Sequence, residues 1–146
     1  MSVTSRAGAP AMSDSGFRFG ARSETCLSTC HPDIVRVLRE ALRTSGRDFA
    51  VICGHRTERE QNRAVREKRS KTPWPRSKHN SVPSRAVDIV PWPVDWDDHR
   101  SFVDLAAHVL ATAERLGVRM RWGGDWDMDK DWRDERFFDG PHFELL

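Results

Sequence analysis

Residues 86–91 read Ala86-Val87-Asp88-Ile89-Val90-Pro91. Apolar residues surround one carboxylate, and a proline stops the run. That pattern predicts a short buried strand over Ala86–Val90. A carboxylate inside such a strand is costly unless it is paired or bound to a metal. Two further stretches read as buried strands, Phe49-Ala50-Val51-Ile52-Cys53 and Val118 to Trp122. The chain ends in Asp139-Gly140-Pro141-His142-Phe143-Glu144-Leu145, where Pro141 excludes a helix and a final strand is predicted over His142–Leu145.

Helical stripes lie between these strands. Ile34, Val35, Leu38, Ala41 and Leu42 predict a helix within His31–Ser45, with Ser28 or Thr29 as its cap, Pro32 in its first turn and Gly46 at its end. Thr57 and Glu60 form a capping box that opens a second helix to about Arg69. Phe102, Leu105, Ala106, Val109, Leu110, Ala113 and Leu116 mark a third helix, capped by Asp97 or Asp98 and stopped by Gly117. Residues 70–85 and 123–140 are expected loops. Helices and strands mix without regular βαβ alternation. The predicted class is therefore α+β, an antiparallel sheet flanked by helices in one domain over 26–146. Residues 1–25, rich in Ser, Gly, Ala and Arg, are expected to be a flexible arm.

The chain has 146 residues, of which 38% are hydrophobic and 32% charged, enough for one small core. No run approaches the roughly 18 apolar residues of a membrane span, so no integral membrane segment is expected. No secretory signal is expected either. Three cysteines do not suggest a disulfide scaffold. Cys26, Cys30 and Cys53 are expected to be ordinary reduced thiols, Cys53 buried. Net charge is +2, unevenly spread: residues 1–86 hold 17 Lys/Arg against 8 Asp/Glu, and residues 87–146 hold 7 against 14. This asymmetry predicts one face for an anionic partner and another for cations.

Six histidines are present. His31 sits where a helix starts and is expected to cap it or lie on the surface, and His99 and His108 lie on a helix's polar side. His55, His79 and His142 stand in or beside loops at strand ends, where sites collect. His79, Asp88 and His142 form a three-ligand set with an open fourth position, the pattern of catalytic zinc. Asp139 is a further carboxylate beside it, able to handle protons.

Ser77-Lys78-His79 with Ala86-Val87-Asp88 and Pro141-His142-Phe143-Glu144-Leu145 resembles the zinc D-alanyl-D-alanine carboxypeptidase (VanY-like) family, most closely its phage-endolysin branch, which includes L-alanyl-D-glutamate peptidases. Gly54-His55-Arg56-Thr57 with Gln61-Asn62, and Arg121-Trp122-Gly123-Gly124-Asp125-Trp126, are similar to its early and late elements. The resemblance covers about residues 28–146, with the motifs in order. It implies the Hedgehog/DD-peptidase type of fold, a Zn2+ cofactor on His79, Asp88 and His142, and Asp139 as general base and acid. It also implies that Arg56 binds substrate and stabilises developing negative charge, with Gln61 and Ser77 holding the peptide. The His79–Asp88 spacing departs from the family by two extra residues around Ser81-Val82-Pro83-Ser84. That loop is expected to bulge while the ligands survive.

Asp125, Asp127 and Asp129, with Asp134, echo part of a calcium loop, but Lys130 replaces the expected glycine. A second, Ca2+-like site there is one expectation and a solvated acidic loop the other. Trp92, Trp96, Trp126 and Trp132 are candidates to line a glycopeptide groove.

The resulting expectation is a monomeric zinc peptidase acting on bacterial peptidoglycan stem peptides. It would be made in a host cytoplasm and reach the wall through a holin-type membrane lesion. A D-Ala-D-Ala carboxypeptidase of the same family is the alternative. A non-catalytic basic module for wall polymer or nucleic acid comes third, and no nucleic-acid motif supports it.

Overall fold

A computed structural model of the chain describes residues 14–126, 128 and 138–146. In order along the chain, the helices are α1 (Ala21–Leu27), α2 (Pro32–Arg43), α3 (Glu58–Arg66) and α4 (His99–Arg115). The strands are β1 (Phe49–Cys53), β2 (Ala86–Pro91), β3 (Met120–Trp122) and β4 (His142–Leu145), and Lys78–Asn80 forms one 3-10 turn. The four strands make an antiparallel sheet in the order β1-β2-β4-β3. This is the α+β arrangement expected.

The pleat of the sheet separates core from site. Val51, Val87, Ile89, Phe143 and Leu145 point into one cluster with Ile34, Leu38 and Ala41 of α2 and Leu105 and Val109 of α4. Each fully buried aliphatic or aromatic side chain there contributes roughly 1.5–3 kcal/mol. The alternate residues Asp88, His142 and Glu144 point to the opposite face. A one-residue slip of β4 would bury His142 in the apolar core and put Phe143 in its place, so core packing and site register are one constraint.

The helices are built largely as read. Thr57 and Glu60 make both bonds of the capping box on α3, and Asp98 caps α4 by accepting from Ser101 N. Gly117 stands at φ +74° just past the end of α4, the left-handed position that favours glycine. The cap of α2 is His31, one of the expected candidates, and not Ser28 or Thr29. His31 Nδ1 accepts from Asp33 N at 3.0 Å, while Ser28 and Thr29 bond back to Thr25 O and Cys26 O.

The expected arm is a second difference. Within residues 14–25 the chain is already packed, because α1 lies on β1. Ser23 is buried and its hydroxyl accepts from Val51 N, Phe19 packs edge-on against Phe49, and Ser15 N donates to Arg43 O. Phe17, Phe19 and Leu27 are too sparse to show a helical period, yet each meets the core. Residues 1–13 lie outside the described ones. Among the described residues no helix is long and apolar enough to cross a membrane.

Candidate active site and metal centre

Sheet register assembles the site. Asp88, at the middle of β2, stands opposite His142 of β4 on one side and Cys53 of β1 on the other. A register shift between Val51 and Cys53 brings Cys53 to that position. His79 arrives from the 3-10 turn before β2. Ser77 caps that turn, its hydroxyl accepting from His79 N while Asn80 Oδ1 accepts from Ser77 N. The residues after the turn protrude, with Val82 82% exposed. Arg85 N bonding back to Lys78 O closes the excursion. The chain between His79 and Asp88 thus bulges at Val82 and returns to the turn before β2.

Both imidazoles have one nitrogen committed to an acceptor. His79 Nδ1–H donates to Gly54 O at 2.7 Å. His142 Nε2–H donates to Glu144 Oε1 at 2.8 Å. The other two nitrogens converge on a single atom: His79 Nε2 lies 3.2 Å and His142 Nδ1 3.4 Å from Asp88 Oδ1. With neutral rings, these partners place two nitrogen lone pairs against a carboxylate oxygen. Three acceptors facing one point are repulsive unless a cation or protons lie among them. A two-imidazole, one-carboxylate donor set suits a divalent ion such as zinc. Among the described residues, the group whose donor atoms all lie within 4.8 Å of one another is Cys53 Sγ, a His79 nitrogen and an Asp88 oxygen, which could hold a metal ion. Burial pushes the Cys53 thiol up to about 12 in the metal-free protein.

The charges follow from this crowding. Burial alone would raise the Asp88 carboxyl, but His79 and His142 outweigh it and hold it well below the usual range. Burial opposes a charge on His142, yet its bonds to Asp88 and Glu144 prevail and push it up to about 9. Burial, and then the Asp88 charge, push Asp139 up to about 7.

Asp139 and His142 are the two ends of one four-residue turn. His142 N donates to Asp139 O at 3.1 Å, and Trp122 Nε1–H braces the turn through Gly140 O at 2.7 Å. Gly123 is squeezed beneath it, since a Cβ there would stand 2.3 Å from Asp139 O. Gly54 is similarly confined, at 2.3 Å from Thr29 Oγ1 and 2.5 Å from Cys26 O.

Arg56 binds inward. Its Nη2 donates to Asp88 Oδ2 at 3.1 Å and its Nη1 to Gln61 Oε1 at 3.3 Å. Gln61 corrects an expectation. It is 0% exposed, and its amide nitrogen donates to Ser70 Oγ and Thr72 O. It braces Arg56 and the loop above α3 and lines neither cleft.

Two clefts meet at Arg56, Arg69 and Asp139. One, of about 580 Å³, adds Arg63, Lys68, Trp96, His99 and Phe102. The other, of about 410 Å³, adds Ser77, Arg76, Lys78, Arg121, Trp126 and the two histidines of the site. Trp96 and Trp126 are therefore the tryptophans at the site. Trp92 lines neither cleft, and Trp132 lies outside the described residues. His55 lines neither cleft. His99, read as an ordinary helix residue, does line one and stacks on Phe138. Of the four aspartates of the candidate calcium site only Asp125 is described, while Asp127, Asp129 and Asp134 lie outside the described residues.

A family model for phage L-alanyl-D-glutamate peptidase matches residues 15–146. The chain belongs to this family. It is 34% identical over 138 residues to the L-alanyl-D-glutamate peptidase of Escherichia phage T5, covering 89% of this chain and 98% of that protein. It also resembles the crystal structure of the Serratia marcescens L-Ala D-Glu endopeptidase ChiX. There the identity is 36%, with 93% of this chain and 96% of the other covered and a TM-score of 0.69. In this member of the phage peptidase family, Glu144 and the Arg56–Asp88 pair are the site features that the motifs did not reveal. The signal for Glu144 was present, since residues two apart on a strand share a face. The pairing of Arg56 with Asp88 spans 32 positions and leaves no local trace.

Proposed function

We propose that this phage-type peptidase hydrolyses the L-alanyl–D-glutamate bond of peptidoglycan stem peptides, with zinc held by His79, Asp88 and His142. The observation that carries the reading is the meeting of His79 Nε2 and His142 Nδ1 on Asp88 Oδ1 while each ring's other nitrogen is taken by an acceptor. Bound there, zinc supplies Lewis-acid polarisation of the scissile carbonyl and acidification of the attacking water.

The chain's own groups do the rest. Asp139 opens onto both clefts beside this cluster. Its carboxylate accepts a proton from the attacking water and returns it to the leaving amine nitrogen of D-Glu, yielding a new carboxylate and a new amino terminus. A neighbouring divalent cation favours the ionised form of Asp139. Arg56 locks the outer oxygen of Asp88 and lines both clefts, its fixed positive charge beside the place where negative charge develops. The D-Glu residue of a stem peptide is linked through its side chain and keeps its α-carboxylate next to the scissile bond. The arginines and lysines of both clefts match that anionic substrate.

The test is digestion of purified peptidoglycan by the zinc-loaded protein, with products identified by mass and by new amino termini. New D-Glu amino termini, abolished by chelation and restored by zinc, are expected. Free D-Ala in their place would instead mean a carboxypeptidase. Wall binding without new termini would refute hydrolysis.

A further inference from the structure

We propose that Glu144 is a positioning residue that fixes His142 for zinc, and that Arg121 and Lys78 hold it in that role. The inference rests on the zinc reading above.

The arrangement is a chain of contacts running away from the cleft. His142 and Glu144 sit two apart on β4 and share a face, while Phe143 between them goes into the core. Glu144 is 7% exposed. A carboxylate so buried needs partners for both oxygens. Oε1 takes the His142 Nε2–H at 2.8 Å. Oε2 takes Arg121 Nη2 at 2.6 Å and faces Lys78 Nζ at 3.4 Å.

Neither cation is there by chance. Arg121 is the direct cross-strand partner of Glu144 in the β3–β4 register. Its Nη1 donates to Trp126 O, and its guanidinium lies 5.5 Å from the Trp126 ring centre. That ring in turn lies 5.3 Å from the His142 ring. Lys78 directly precedes His79 in the 3-10 turn and its ammonium also donates to Leu145 O. Glu144 therefore ties together the elements that deliver the two histidines, as well as β3.

The chemistry of the bond is specific. A carboxylate accepts and cannot donate, so it leaves the proton on Nε2 and the lone pair on Nδ1, the nitrogen that faces Asp88. Such an outer partner sets the tautomer and orientation of a metal-binding imidazole and raises its basicity. The zinc ligands His79 and His142 are treated alike in this respect, with Gly54 O doing for His79 what Glu144 does for His142.

Glu144→Gln isolates the effect with little change of shape. One amide oxygen cannot serve both His142 and Arg121, and the amide NH2 offers a donor where an acceptor is required. Glu144→Asp keeps the charge but withdraws it from His142 by one methylene. The measurement is the affinity of the metal-free proteins for zinc alone, by competition with a chromophoric chelator. Thermal melting of the same metal-free samples is measured in parallel. A fall of about 10- to 100-fold in zinc affinity is expected for both variants. Nitrogen-15 spectra of the zinc-loaded wild type should show His142 carrying its proton on Nε2.

A merely structural Glu144 would lower the melting temperature and leave the zinc affinity of the folded variants intact. That result overturns the inference and spares the zinc reading. A wild-type protein that takes up no zinc overturns both. If Glu144→Gln does not fold, unchanged zinc affinity in Glu144→Asp is enough to overturn the proposal.

Discussion

Replacing Gly123 by alanine should damage catalysis although Gly123 has no side chain to contribute. Its N–H donates to His142 O at 2.7 Å and its carbonyl accepts from Asp139 N at 2.9 Å, so its backbone is pinned to both ends of the turn that carries the base and a histidine. An added Cβ would stand 2.3 Å from Asp139 O and 3.0 Å from both Asp139 Cβ and His142 Cβ, where ordinary contact begins at 3.4 Å. The turn must therefore recede by about 1 Å, because the atom met is backbone and not the tip of a flexible side chain. Misplacement by about 1 Å can cost on the order of 10²-fold in rate, which is about 2.7 kcal/mol of barrier. Steady-state kinetics of the zinc-loaded variant on a defined muropeptide measure this directly. Gly46→Ala is the control, since a Cβ there meets nothing within 4 Å. Activity of Gly123→Ala within threefold of that control would show that the turn yields without cost, and the argument for tight placement of Asp139 and His142 would fail.

Other outcomes follow from the same geometry. Asp139→Asn should lower kcat by about 10²- to 10⁴-fold while elemental analysis still finds one zinc per chain. Loss of the metal together with the rate would mean that Asp139 serves the ion rather than the proton. His142, pushed up to about 9 in the metal-free protein, carries a proton at neutral pH that zinc must displace. Zinc affinity should rise about tenfold per pH unit from about 7 to about 9 and then level. Because this histidine is raised on folding, its stabilisation of the metal-free protein is complete below the unfolded value near 6.5 and is lost as pH climbs through about 9. Calorimetry in buffers of different ionisation heat should count about one proton released per zinc at pH 8, and a count of zero contradicts the assignment.

What the sequence discloses and what it hides divide along range. Local chemistry is legible: Thr57 and Glu60 announce the start of α3, Asp98 the start of α4, and the apolar runs give β1 and β4 with their observed boundaries. The meeting of His79, Asp88 and His142 is also legible, because a carboxylate in an apolar strand needs a reason and the flanking motifs supply one. Contacts fixed by folding alone are not. The irregularity in β1 that sets Cys53 against Asp88 has no signature in Phe49–Cys53. Gln61 looks like a polar helix residue free to meet a ligand, yet it is walled in by Arg56, Ser70, Thr72 and Asn80. The packing of α1 rests on Ser23 and Leu27, with Phe17 and Phe19 just before it, so a scan for period finds nothing there.

The site's position at the middle of the sheet has an energetic reason. Cys53, Asp88, His142 and Gly123 form one transverse row across all four strands, since Gly123 directly follows β3 and bonds to His142 O. An edge strand can shift to relieve the crowding of clustered ionisable groups. β2 and β4 cannot, being paired on both sides and buried along their whole length. The sheet therefore imposes the convergence on Asp88, and the apolar face that fixes its register offsets the cost of holding an incomplete charge cluster together. On this view a core substitution such as Phe143→Ala removes more than buried area. It loosens the strand that aims His142 and Glu144, so zinc affinity and stability fall together.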